Sequence, residues 1–143
     1  MTGPPIKACV AYYPVLDVSH SCPDDWSYDI TPFWRDRVCK QDIQEAPQFY
    51  RQSSPLFRLQ ERTPVCPLMI LQGDTDCLVP VAHTRTFVRR MKEALPDNLL
   101  VYLELRRARH GFDILPSPRS TFTEAGVARF LNHVYRSGHE GQR

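Results

Sequence analysis

Apolar residues in this chain concentrate in short runs separated by turn signals. Three such runs, at 6–13, 65–72 and 99–105, are rich in strand-forming residues and are too short for helices. Near-continuous apolar runs of this length are typical of strands buried on both faces of a parallel sheet. Pro14 ends the first run and Gly73 opens the turn after the second. We therefore predict three buried strands.

The segment between the second and third runs has apolar side chains spaced by three and four. This spacing places them on one face of a helix, and Pro80 suits the first turn of that helix. The predicted buried face consists of Val81, Thr84, Val88, Met91 and Leu95.

A second amphipathic helix follows the third run. We predict that it begins at Thr121, because a threonine followed three positions later by Glu124 matches a capping box. Its predicted buried stripe consists of Val127, Phe130, Leu131 and Val134.

Residues 17–63 interrupt this regular pattern. We predict loops with short helices near 33–40 and 41–51, and we interpret Trp26, Phe33 and Trp34 as packing beneath a long loop. The prolines that break the segment are Pro23, Pro32, Pro47 and Pro55.

The order of the elements is strand, irregular insertion, strand, helix, strand, helix. Strands that alternate with amphipathic helices predict an α/β fold, in which helices cover the faces of a parallel sheet. We expect residues 1–136 to form part of a single domain and 137–143 to form a polar tail.

Composition and charge narrow the classes of function. Of the 143 residues, 42% are hydrophobic and 24% are charged, which favours a folded protein over a disordered one. A net charge of +2 without a basic stripe argues against nucleic acid as a partner. Apolar runs are too short to span a membrane, and the first residues lack the layout of a signal peptide. We expect a cytoplasmic protein.

The cysteines form an odd set without zinc-site spacing. Free thiols in a reducing compartment are the simplest interpretation, and a disulfide between two of them stays open. The set is Cys9, Cys22, Cys39, Cys66 and Cys77.

Two loops carry candidate chemistry. The second strand is followed by a loop with Asp76, and the third by a loop with His110. Loops at the carboxyl ends of neighbouring parallel strands converge, so we expect the two side chains to lie in hydrogen-bonding contact. A carboxylate that accepts a hydrogen bond from one imidazole nitrogen leaves the other nitrogen ready to accept a proton.

Several segments resemble the α/β-hydrolase family. LMILQGDTDCLVP is similar to the family's acid-bearing motif, and RARHGFDILPSPRSTFTEAGVARFLNHV resembles its histidine loop and final helix. IKACVAYYPVLDV resembles the sixth strand of that fold, and SSPLFRL the segment before the seventh. The likeness covers nearly the whole chain and is greatest to esterase, feruloyl-esterase-like and prolyl-oligopeptidase-like branches. It implies a partial α/β-hydrolase fold with Asp76 as the acid, His110 as the base and no cofactor.

The chain departs from that family in two respects. Members carry a nucleophilic serine in a G-x-S-x-G turn and donors for an oxyanion, and neither motif occurs in this sequence. Cys77 is interpreted as a small apolar filler, and Ser117 and Ser120 as turn and cap residues. We therefore expect little activity from the chain alone.

Two functions remain open at this stage. One is a carboxylesterase-type serine hydrolase, acting on a small ester or amide when an N-terminal half completes the site. The other is a non-catalytic interaction protein that self-associates through an exposed strand at 6–13. The sequence does not separate esterase from peptidase.

Overall fold

A computed structural model describes residues 6–19, 29–59 and 65–140. Within these ranges the strands β1 (Cys9–Tyr12), β2 (Leu68–Gly73) and β3 (Leu100–Leu105) form one parallel sheet in the order β1-β2-β3. Helices flank this sheet, and the α/β prediction is confirmed.

Both β1 and β2 are shorter than their apolar runs. The run at 65–72 includes Pro67, which has no N–H to donate, and β2 begins only at Leu68. The carbonyl of Pro67 still accepts a hydrogen bond from the Cys9 N–H at 2.9 Å. β1 ends at Tyr12, directly before a residue with a left-handed backbone, Tyr13.

The central strand β2 is buried on both faces. Ile70 packs into one hydrophobic cluster, together with Phe87 and other apolar side chains of the following helix. Met69 and Leu71 face the other way and pack with Phe130. Burial on both faces explains why the strand reads as a continuous apolar run rather than an alternating one.

The helix between β2 and β3, α4, spans Val81–Ala94. Pro80 precedes its first turn as the N-cap residue, so the prediction that Pro80 lies within that turn is wrong. Leu95 lies beyond the helix end, and the buried face includes Phe87, which spacing alone did not identify. The buried residues are Val81, Thr84, Phe87, Val88 and Met91.

The final helix, α5, spans Pro118–Glu140, so the predicted start at Thr121 is wrong. The cap is made by two serines: the Ser120 N–H donates to Ser117 Oγ at 3.1 Å, and the Ser117 N–H donates to Ser120 Oγ at 2.8 Å. This reciprocal pair does the work expected of Thr121 and Glu124.

Two further observations concern α5. Phe130 is buried as expected, but Leu131 is 43% exposed, because the helix turns it away from the sheet. The helix continues to Glu140, within the segment predicted as a polar tail. Among the described residues, no helix has the length and apolarity needed to cross a bilayer.

The connection between β1 and β2 contains short helical pieces. Helix α1 (Thr31–Phe33) continues as a π-helical segment (Trp34–Cys39), close to the helix predicted at 33–40. It is followed by α2 (Pro47–Ser53) and α3 (Pro55–Arg58), each with a proline in its first turn.

Two predictions for this connection are wrong. The helix predicted at 41–51 begins only at Pro47, because the carbonyl and carboxylate of Asp42 accept hydrogen bonds from backbone N–H groups at 44–46 and make a turn there. Phe33 is 55% exposed rather than packed. Trp26 lies outside the described residues.

Candidate active site

Hydrogen bonds join the loop after β2 to the loop after β3. The Asp74 N–H donates to the Leu105 carbonyl at 3.1 Å. The N–H and hydroxyl of Thr75 both donate to the Ala108 carbonyl, at 3.1 and 2.9 Å. These contacts hold the two loops against each other at the carboxyl edge of the sheet.

Gly73 permits this close approach. A Cβ atom on Gly73 would lie 2.2 Å from the carbonyl oxygen of Ala108, well inside van der Waals contact. Only glycine fits at this position without moving the backbone of one loop.

The carboxylate of Asp76 is buried, with 1% of the residue exposed. Its Oδ1 accepts hydrogen bonds from the backbone N–H groups of Leu78 and Val79, each at 2.9 Å. Its Oδ2 accepts one from Gln72 Nε2 at 3.0 Å. Because the carboxylate accepts hydrogen bonds from its own loop and from the preceding strand, these bonds fix both the conformation of the loop and the orientation of the Asp76 side chain.

Sequence reasoning did not identify Gln72. Its amide also donates to the Val79 carbonyl at 3.1 Å and accepts from Thr84 Oγ1 at 3.2 Å. All of these groups are buried, so Gln72 ties the strand end, the Asp76 loop and α4 together. The available signal was a long polar residue at the end of an otherwise apolar strand.

The structure brings His110 to this carboxylate. His110 Nδ1 lies 2.9 Å from Asp76 Oδ2 and 3.2 Å from Oδ1. A carboxylate can only accept, so Nδ1 carries the proton and donates it. The lone pair then lies on Nε2, and the side chain is 27% exposed. The pair has the geometry of a base oriented by an acid.

An aromatic side chain packs against the imidazole. The ring of Tyr13, at the end of β1, has its centroid 4.2 Å from that of His110. Phe112 lies 5.9 Å from Tyr13 and 6.1 Å from Tyr12. Tyr13 was not identified from sequence, because its contact with the imidazole depends on the order of strands in the sheet.

The serine and cysteine residues near Asp76 and His110 lie in positions that explain them structurally. Ser117 and Ser120 bond each other in the cap of α5. Cys77 is half-buried in the Asp76 loop. Within the described ranges, no group of three or more His, Cys, Asp or Glu side chains is arranged to hold a metal ion.

A parallel sheet that presents a buried carboxylate and an imidazole from adjacent strand ends is the arrangement of the α/β-hydrolase class. Residues 2–135 match the model of the prolyl oligopeptidase family. The chain therefore belongs to this family.

Curated relatives come from Mycobacterium tuberculosis. Esterase LipC is 36% identical over 120 residues, which cover 79% of this chain and 29% of LipC. The probable carboxylic ester hydrolase LipM is 32% identical over 136 residues, which cover 95% of this chain and 31% of LipM. The chain thus spans less than a third of the length of these relatives.

Solved structures show the same fold. A thermophilic esterase from Thermogutta terrifontis, Est2, superposes with a TM-score of 0.64 at 23% identity, over 90% of this chain and 42% of Est2. A puromycin-hydrolyzing peptidase from M. tuberculosis superposes at 0.58 with 21% identity, over 74% of this chain and 15% of the peptidase. The prediction of a partial α/β-hydrolase fold is confirmed.

Proposed function

We propose that Asp76 and His110 are the acid and the base of a carboxylesterase-type serine hydrolase whose substrates are small esters or amides. The observation that carries this proposal is the 2.9 Å contact between His110 Nδ1 and the buried Asp76 carboxylate. Kinship with proteins named as esterases favours an ester substrate.

In the complete site a serine hydroxyl gives its proton to His110 Nε2 as its oxygen attacks the substrate carbonyl. The tetrahedral intermediate collapses, His110 returns the proton to the departing alcohol or amine, and an acyl-serine remains. Water then attacks the acyl-serine, with His110 again taking and returning a proton, and the carboxylic acid product is released. Asp76 holds the neutral imidazole in the Nδ1–H tautomer and stabilises the imidazolium that forms when Nε2 takes the serine proton.

We further propose that the 143-residue chain is inactive by itself, because it has no G-x-S-x-G turn. The purified chain is incubated with a fluorophosphonate probe and assayed on p-nitrophenyl acetate. We expect neither labelling nor turnover above that of heat-denatured chain. Stoichiometric labelling of a serine would contradict this part of the proposal.

A chimera tests the acid and base directly. The segment of Esterase LipC that aligns with this chain is replaced by the chain itself, and hydrolysis of p-nitrophenyl acetate is measured. We expect His110→Ala to lower kcat on the order of 10³-fold or more. His133→Ala, at an exposed histidine of α5, is the matched control and should leave kcat unchanged. An active chimera that tolerates His110→Ala would refute the assignment.

A second candidate function is that of a self-associating interaction protein. β1 ends the sheet among the described residues. The Cys9 and Tyr13 N–H groups donate towards the β2 side, so by alternation those of Val10 and Tyr12 point away from it. An open strand edge can pair with the same edge of a second copy.

Light scattering over a range of concentrations tests this candidate. We expect a dimer that Ile6→Lys weakens, since Ile6 is 75% exposed three residues before β1 and a lysine next to an edge strand discourages pairing. Ile114→Lys is the matched control, because Ile114 is also 75% exposed but lies in the His110 loop. A monomer at every concentration would exclude self-association through β1.

We also propose the cytoplasm as the compartment of this protein. The support is that Cys9, Cys39, Cys66 and Cys77 are free thiols, a state that persists where glutathione keeps cysteines reduced. Cell fractionation with a thiol-labelling reagent tests this: recovery in a membrane or secreted fraction would refute it.

A further inference from the structure

Tyr13 has an unusual backbone for a bulky residue. Its φ is 36°, in the left-handed region that non-glycine residues rarely adopt. Its N–H donates to the Leu71 carbonyl at 2.7 Å, which anchors the residue to β2 at the edge where the Asp76 loop begins. Such a conformation is strained and persists only where surrounding contacts enforce it, often beside functional groups.

This backbone directs the Tyr13 ring onto the imidazole. The two ring centroids lie 4.2 Å apart with an angle of 52° between their planes. Phe112 supports the tyrosine from the side, in an edge-to-face contact at 5.9 Å and 85°. The imidazole therefore has the Asp76 carboxylate at Nδ1 and the Tyr13 ring against it.

The hydroxyl end of Tyr13 interacts with the loop that carries His110. Burial raises the pKa of Tyr13, and the charge of Asp113 and a hydrogen bond with that carboxylate raise it further. The hydroxyl is therefore protonated at neutral pH and able to donate. Asp113 Oδ1 is buried and has no hydrogen-bond partner among the described residues.

The contact with Asp76 alone does not define the orientation of the imidazole. A hydrogen bond at a single nitrogen fixes one point of the ring, and the side chain can still rotate about that point or exchange its bond for water. Water has access, because the His110 side chain is 27% exposed. A second contact against the ring removes this freedom.

We propose that Tyr13 is a positioning residue for His110: its ring, directed by the left-handed backbone at the end of β1, keeps the imidazole oriented with Nδ1 against Asp76, and the carboxylate in that position selects the Nδ1–H tautomer. The consequence for catalysis rests on the proposed function, whereas the positioning itself is a property of this chain. Tyr13 acts through His110 and touches no reacting atom.

The spectroscopic test uses the 143-residue chain labelled with ¹⁵N. Long-range ¹H–¹⁵N spectra, recorded with the imidazole in its neutral form, report which ring nitrogen of His110 carries the proton. We expect the Nδ1–H form to dominate in the wild type and in Tyr13→Phe, which keeps the ring. Tyr13→Leu removes the ring and should lower the ratio of Nδ1–H to Nε2–H at least about tenfold, towards the free-histidine tautomer preference.

Tyr12→Leu is the matched control, since Tyr12 is the adjacent aromatic residue and also contacts Phe112. It should leave the tautomer unchanged. Equal effects of Tyr12→Leu and Tyr13→Leu, or no effect of Tyr13→Leu in a folded chain, would overturn the proposal. Should Tyr13→Leu fail to fold, the wild type decides: a missing nuclear Overhauser effect between the Tyr13 ring and the His110 imidazole overturns it, and its presence together with the Nδ1–H tautomer in Tyr13→Phe supports it.

The LipC chimera separates this inference from the proposed function. There we expect Tyr13→Leu to lower kcat on the order of tenfold with little change in KM, and Tyr13→Phe to restore it, because misplacement of a base by a fraction of an ångström affects the chemical step. A tautomer effect in a folded but inactive chimera would refute the hydrolase proposal and leave the positioning intact. An active chimera without any tautomer or kcat effect would refute the positioning alone.

Discussion

The loops that carry Asp76 and His110 are held in different ways. The Asp76 carboxylate is surrounded by donors from its own loop and from the strand before it, at Leu78, Val79 and Gln72. His110 has Asp76 and Tyr13 as its neighbours, and both reach it from other parts of the chain. Residues close in sequence orient the acid, whereas residues distant in sequence orient the base.

Because of this difference, substitutions of Asp76 and His110 should affect stability and activity to different degrees. Removing Asp76 leaves several buried donors without an acceptor, so the carboxylate is a structural group as well as a chemical one. Removing His110 leaves a partly exposed space and one acceptor that keeps its other partners. Variants of the two loops should therefore divide into those that unfold the protein and those that affect only its chemistry.

The largest effect is expected for Asp76→Ala. We expect a loss of about 3 kcal/mol in the free energy of unfolding, because each buried donor without an acceptor costs about 1–3 kcal/mol. His110→Ala should cost under about 1 kcal/mol, as is usual for side chains away from the core. Urea denaturation of both variants measures the contrast, and equal losses would contradict it.

Gly73→Ala breaks the contact between the two loops. The new methyl group would meet the Ala108 carbonyl oxygen at 2.2 Å, so we expect a loss of about 2–3 kcal/mol from forced displacement of backbone. Gly126→Ala is the control, since its methyl group would lie 3.8 Å from Leu103 and Met69. Within α5 that change should stabilise by about 0.5–1 kcal/mol. Thermal unfolding of both variants checks the opposite signs.

Ser120→Ala loosens the far end of the His110 loop. The Ser120 hydroxyl accepts from the Ser117 N–H and also lies 3.3 Å from the Leu115 carbonyl. Losing this cap should cost about 1 kcal/mol. Ser137→Ala, at an exposed serine of the same helix, should be nearly neutral. Amide hydrogen exchange is compared between Ser120→Ala and the wild type. An increase in rate at Ser117 that exceeds the increase in the middle of α5 would place the effect at the cap, and an equal increase at both would contradict it.

The smallest effect concerns the ion pair between Arg85 of α4 and Glu104 of β3. Helix α4 follows the Asp76 loop, and β3 leads to the His110 loop. Hydrogen bonding from Arg85 holds the pKa of Glu104 below its ordinary value. A lowered pKa contributes stability above the unfolded-state value, and that stability is lost as pH falls through the folded-state value.

Because the pair is largely exposed, this contribution should be under about 1 kcal/mol. The difference in melting temperature between the wild type and Glu104→Gln should therefore shrink as pH falls from 7 to 3. Glu93→Gln, at an exposed residue of α4, is the control. A difference that grows with acidity would contradict the sign.

The sequence predicted Asp76 and His110 as the reactive candidates and the parallel order of their strands. Glycine, aspartate and proline mark a turn whose own backbone N–H groups donate to the aspartate carboxylate. Local sequence was therefore sufficient to predict Asp76 as the acid. Gln72 and Tyr13 escaped prediction because their partners lie on other elements. The true cap of α5 was missed because two serines share a role usually given to threonine and glutamate.

The amino-acid sequence by itself determined the existence of the three strands and the two long helices, the family and the turn that orients the acid, because each shows in a pattern of residues close together along the chain. Only the tertiary structure decided which surfaces meet: that the Ala108 carbonyl fits against Gly73, that Tyr13 turns its ring onto His110, and that β1 forms an edge of the described sheet. The physical reason is that these contacts join residues far apart in sequence, whose distances are set by how the strands and helices pack.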